Sequence, residues 1–104
     1  MKLATYFLTC ADKLEANKIT VALLEKRLAA CVKQVPVSST FHWEGKIQHS
    51  SEILLMIDSS EENFDLINKI VAKLHSYDQY VLTAVPISRT TPAVNAWIHG
   101  IIGQ

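Results

Sequence analysis

ACVKQVPVSSTFHWEGKIQHSSEILLMIDS, residues 30–59, decides the fold. It reads as one long β-hairpin: a strand through CVKQV, a jog at Pro36, a continuation through SSTFHW, a two-residue tip at Glu44 and Gly45, and a return through KIQHSSEILLMID. Such a tip sets Trp43 opposite Lys46, His42 opposite Ile47 and Thr40 opposite His49. His42 and His49 then share a face on a diagonal, about 7 to 8 Å apart at their Cα atoms. Two imidazoles at that spacing still lack the third ligand that a zinc or copper site needs. The reading favoured here is a hairpin tip with surface histidines.

On the N-terminal side of the hairpin, LATYFLT (residues 3–9) is dense in β-branched and aromatic residues and predicts a first strand. Asp12 follows as an N-cap with Glu15 three positions on, the spacing of a capping box, and predicts a helix to about Leu28. Ala16, Ile19 and Leu23 form its apolar face; Lys13, Glu15, Lys18, Glu25 and Lys26 are expected in water. On the C-terminal side, Ser59 and Glu62 suggest a second capping box, and Phe64, Ile67, Val71 and Leu74 trace one helical face. VLTAVPI (residues 81–87) predicts the last strand. Thr91 and Pro92 then start a third helix, with Val94, Trp97, Ile98 and Ile101 as its apolar stripe, expected to pack in the core.

The order β-α-β-β-α-β-α is an α+β, ferredoxin-like split βαβ with an antiparallel sheet and an added C-terminal helix, one domain over residues 1–104. Both main helices of such a fold cover the same sheet face, so strands with a solvated second face should alternate. ILLMI and VLTAVPI are instead apolar on both faces. Something outside the chain is expected to cover the second face, and a homo-oligomer burying about 800 Å² or more per partner would do so.

Composition narrows the function. Ten basic and ten acidic residues cancel, with no basic cluster, so nucleic acid and anionic membrane are not expected partners. The first apolar run is too short for a signal segment or a membrane span, and the expected location is the cytoplasm. Only three glycines occur, which removes glycine-rich phosphate cradles. Cys10 and Cys31 have no CxxC spacing and read as small buried thiols. Neither has a local base, no serine sits in a GxSxG elbow, and a binding role rather than an enzyme is expected. LHSYD (residues 74–78) gathers imidazole, phenol and carboxylate after the second helix, where the helix dipole alone also explains a histidine. If Cys31 came close, Cys31, His75 and Asp78 would suit a borderline-soft ion such as copper or zinc.

LLEKRLAACV (residues 23–32), WEGKI (43–47), EILLMI (52–57) and the set Val85, Pro86, Ile87, Pro92 and Trp97, in this order, resemble the divalent-cation tolerance family CutA over essentially the whole chain. The resemblance implies a ferredoxin-like domain in a tight homotrimer resembling the PII proteins, a link to copper and other divalent cations, and no established reaction. It implies a divalent ion at Cys31, His75 and Asp78, with Trp43, Lys46 and Tyr77 lining the cleft. The chain departs from the family pattern at HSYDQYV in place of HPYEVPE, at Asp58 in place of a lysine, at Lys33 in place of an asparagine, and at Leu8 where one branch has a cysteine. Two other readings remain: a PII-like signalling trimer holding a small anionic metabolite through Lys33 and Lys46, and a trimeric scaffold without ligand.

Overall fold

In a computed structural model, which describes residues 1–103, the elements run β1 (Leu3–Cys10), α1 (Lys13–Glu25), β2 (Cys31–Trp43), β3 (Lys46–Ser60), α2 (Phe64–Leu74), β4 (Leu82–Pro86) and α3 (Pro92–Ile102). The strands form one antiparallel sheet in the order β2-β3-β1-β4, which is the ferredoxin-like order expected from the sequence. The residues of β1 alternate strictly: Ala4, Tyr6, Leu8 and Cys10 are buried under the helices with Leu55 and Ile57 of β3. From the helices, Ala16, Ile19 and Leu23 of α1 and Ile67 and Val71 of α2 close this core.

The β2–β3 ladder is in the expected register throughout, from Cys31 opposite Asp58 to Trp43 opposite Lys46. Pro36 causes no break in it, because β2 is an edge strand where a missing N–H is tolerated. Glu44 (φ 50°) and Gly45 (φ 74°) both take left-handed backbone, the type I′ geometry whose twist suits a two-residue hairpin. Since β1 pairs with β3 only from Ile53 to Ser60, the seven outer pairs of the hairpin have no third strand beside them. They make an arm about 24 Å long, and the molecule measures 45 × 25 × 22 Å.

The sheet face away from α1 and α2 is open. Three rows cross it in register: Cys31, Asp58, Thr5 and Val85; Lys33, Met56, Phe7 and Thr83; Val35, Leu54 and Thr9. The third helix does not cover this face. Its Ile98 and Ile102 pack on Leu3, Ala30 and Ile87 at one end of the sheet, which leaves Val94 and Trp97 exposed (39 % and 47 %) rather than in the core as the stripe suggested. Leu74, at the frayed end of α2, is likewise 37 % exposed.

Two helix ends differ from expectation. Strand β3 continues through Ser60 into a short 3₁₀ turn, so the Ser59–Glu62 capping box does not form: Ser59 Oγ donates to the Leu28 carbonyl, and Glu62 accepts from the Lys2 amide. Helix α1 ends at Glu25, not near Leu28, because Arg27 turns left-handed (φ 56°). The Leu28 amide then donates to the Leu23 carbonyl and the Arg27 amide to that of Leu24, a Schellman closure with arginine where glycine is usual. Its guanidinium instead caps the other end of the chain, with Nε 3.0 Å from the Ile101 carbonyl and Nη2 3.5 Å from that of Gly100. Arg27→Ala is expected to cost about 1 kcal/mol and to speed amide exchange in the last turn of α3. Arg27→Gly should lose the same caps but regain about 1 kcal/mol of backbone strain, so the two variants separate the effects.

Candidate functional site

The inward phase of β1 ends on Cys10, and the turn that follows sends α1 back over it. Asp12 caps the helix by accepting from the Glu15 amide at 2.9 Å. Glu15 does not face water as its place in the pattern suggested. It reaches back into the turn, where its carboxylate accepts from the Ala11 amide at 2.7 Å and the Ser76 amide at 2.5 Å, and it is only 8 % exposed. Burial disfavours this carboxylate, but those amides and the neighbouring His75 outweigh burial and hold its pKa below the usual carboxylate value.

His75 ends α2 with its side chain fully buried. Its Nε2 lies 2.8 Å from the Thr9 carbonyl, which can only accept, so Nε2 carries a proton; Nδ1 accepts from the Tyr77 amide at 3.1 Å. Nε2 also stands 3.6 Å from Glu15 Oε2. The rings of Tyr77 and Tyr80 flank the imidazole at centroid distances of 4.9 and 5.1 Å. Tyr77 Oη donates to Glu52, itself buried at the root of the arm, and Tyr80 Oη is bonded to the Asn68 side chain. Burial, then the Glu52 contact, pushes the Tyr77 phenol up.

The Cys10 sulfur completes the group. Donor atoms of Cys10, Glu15 and His75 all lie within 4.8 Å of one another. Burial first, then the charges of Glu15, Asp12 and Glu52, pushes the Cys10 thiol up to about 12. At neutral pH it is a protonated thiol and not a nucleophile. Iodoacetamide at about pH 8 should therefore leave Cys10 unmodified until the chain unfolds, as peptide mapping of native and urea-treated protein would show.

Thiol, imidazole and carboxylate at this spacing suit zinc or copper in donor type and in number for a three-ligand site with an open position. Cys10 would hold such an ion as a thiolate, its proton released, and His75 would hold it through Nε2 with the ring proton moved to Nδ1, at the cost of the bonds to the Thr9 carbonyl and the Tyr77 amide. Two anionic donors would then balance a divalent charge in a buried place.

The residues singled out from sequence fall in four places. His75 and Tyr77 belong to this cluster. Cys31 sits at the far end of the sheet on the open face, where Lys33 Nζ lies 3.6 Å from both its sulfur and Asp58 Oδ2, and Thr5 donates to Asp58 at 2.9 Å. Asp58, then Cys31, raises the pKa of Lys33, which is thus already paired and less suited to hold an anion. Asp58 pairs with Cys31, whereas Ile53 pairs with Cys10, five residues along β3; the two thiols are about 17 Å apart in the chain direction. One chain therefore does not bring Cys31 and His75 onto a single ion. Asp78 is exposed in the loop after α2, and Trp43 and Lys46 face each other at the arm tip. Cys10 and Glu15 were missed as a pair. The signal was present: Cys10 shares the inward phase of Tyr6 and Leu8, and a capping glutamate points back toward the strand before its helix.

Fold and cluster together define a small ferredoxin-like α+β domain with a projecting hairpin and a buried thiol–imidazole–carboxylate group. The family profile described as CutA1 divalent ion tolerance protein matches residues 4–100. The divalent-cation tolerance protein CutA of Archaeoglobus fulgidus is 37 % identical over 92 residues, covering 88 % of this chain and 90 % of that protein. Mouse protein CutA is 34 % identical over 96 residues; the match takes in 91 % of this chain but only 54 % of the mouse protein, about half its length. Among solved structures, the A. fulgidus protein superposes with a TM-score of 0.94 at 34 % identity, covering 96 % of this chain and 98 % of that one. CutA of Xylella fastidiosa gives 0.93 at 34 %, covering 98 % and 99 %. The chain belongs to the CutA1 divalent ion tolerance family.

Proposed function

We propose that the protein acts in divalent-metal tolerance as a homotrimer that binds a divalent cation, zinc or copper, without catalysing a reaction. The observation that carries the metal reading is the convergence of Cys10, Glu15 and His75 within 4.8 Å in a buried place. The Ala11 and Ser76 amides already hold the Glu15 carboxylate in place, and uptake releases the thiol proton. The wider set Cys31, His75 and Asp78 belongs to this proposal only as a site shared between subunits, because the sheet keeps Cys31 and His75 apart within one chain.

Assembly is supported by the open face, with exposed Val35 and Val85 beside half-buried Phe7, Leu54 and Met56, and by the unsupported arm bearing exposed Phe41, Trp43 and Ile47. Apolar surface so continuous is typical of an interface. We place the protein in the cytoplasm on its two free thiols. No helix among the described residues is long and apolar enough to cross a membrane. The A. fulgidus structure is described as periplasmic and the Arabidopsis relative as chloroplastic.

Native mass spectrometry of metal-free protein, then of protein with stoichiometric Zn²⁺, tests both parts. The expected result is a trimer taking up about three ions, with uptake lost in Cys10→Ala and in His75→Gln. A trimer that stays bare, or equal uptake by both variants, would overturn the cation site.

A further inference from the structure

Where the start of β1, the β4–α3 loop and the first turns of α3 meet, they enclose an open groove of about 720 Å³, within the range of small-molecule sites. It lies at the α3 end of the sheet, whereas the cysteine–histidine cluster sits where β1 ends, and nothing in the metal reading uses it. Pro86, Ile87 and Pro92 give it an apolar wall; its polar lining includes Ser88, Thr90 and Asn95 with the cations Lys2 and Arg89. The chain has two arginines. Arg27 is committed to the carbonyls of α3, while the Arg89 guanidinium and the Lys2 ammonium, both on this groove, make no hydrogen bond or ion pair among the described residues.

His99 stands on the same wall. Its Nδ1–H donates to the Asn95 carbonyl at 2.8 Å, one turn back on α3, which fixes the ring and leaves Nε2 without a partner among the described residues. Glu61 is the one carboxylate on the wall; Glu62 beside it accepts from the Lys2 amide and lies 3.9 Å from the terminal ammonium. In a protein of zero formal net charge the groove therefore keeps a positive excess. A planar guanidinium and an ammonium on one groove with an apolar wall match an oxyanion on a compact apolar body.

We propose that this groove binds a small organic phosphate, with Arg89 and Lys2 on the phosphate oxygens and the proline-rich wall against the organic part. The test is calorimetric titration of the full chain with phenyl phosphate, with inorganic phosphate and phenol as the separate halves of that probe. Saturable binding of phenyl phosphate is expected, stronger than of either half. Arg89→Ala and Lys2→Ala should each weaken it about tenfold, and Glu61→Gln should strengthen it. Lys2 and Arg89 are exposed and Glu61 is half-buried, so the variants are expected to fold, which circular dichroism would verify. Lys18→Ala, on α1, should change nothing. Absence of saturable binding, equal affinity in Arg89→Ala, or equal weakening in Lys18→Ala would overturn the proposal. Each of these outcomes is independent of whether the cysteine–histidine cluster takes up an ion.

Discussion

Glu15→Ala is expected to lower the unfolding free energy by about 3 kcal/mol in urea titration at fixed protomer concentration. The substitution strands two buried amides, Ala11 and Ser76, and removes the acid beside His75, so the turn after β1 and the loop after α2 lose their common anchor. Glu15→Gln keeps the shape and one acceptor and should cost less. The pH dependence has a definite sign. Because the folded pKa of Glu15 lies below its unfolded value, its contribution is fully present above the unfolded carboxylate range. That contribution fades as the pH falls through the acid range toward the folded value. Glu15→Gln should therefore flatten the acid limb of the stability curve. A loss below about 0.5 kcal/mol in Glu15→Ala would show that the anchor is dispensable.

Leu54→Asp should turn the proposed trimer into monomers that still fold. Leu54 lies on the open face between Val35 and Thr9, outside the cluster of fully buried residues, so the monomer's own core does not need it. In a subunit contact the new carboxylate would be buried without a partner, at a cost of several kcal/mol per site. Sedimentation velocity would read the change directly. A variant that stays trimeric would move the interface off this face, and a monomeric wild type would remove the assembly altogether.

The sheet order and the hairpin register were legible from sequence because they follow from patterns with a fixed period and from a tip whose chemistry admits few geometries. The open face was also visible, as strands apolar on both sides. Other features depended on tertiary partners that spacing does not encode. Glu15 is charged and for that reason expected in water, yet it shares a face with Ile19 and Leu23, and the amide of Ser76, 61 positions on, satisfies its carboxylate there. Ser59 and Glu62 have capping-box spacing, but Leu28 and Lys2 claim them first, and β3 runs on through Ser60. Val94 and Trp97 belong to an apolar stripe, but α3 rests on the sheet's end through Ile98 and Ile102, with Ile101 beside them. For the candidate site, His75 and Tyr77 were found and their partner was not: both cysteines were equal by composition, and only the phase of β1 and the register of β3 separate them.

The arm has a further implication for how such chains tell each other apart. Each added or deleted pair changes its reach by about 3.4 Å, and each also reverses which side chains face which way. Arm length is therefore a digital quantity with a parity. Two chains whose hairpins differ by one pair would present Phe41 and Trp43, or their counterparts, to opposite sides and at different heights. We expect them to sort into separate assemblies even when made in the same cell. A difference of two pairs would restore the side but not the height, and mixing should recover only in part.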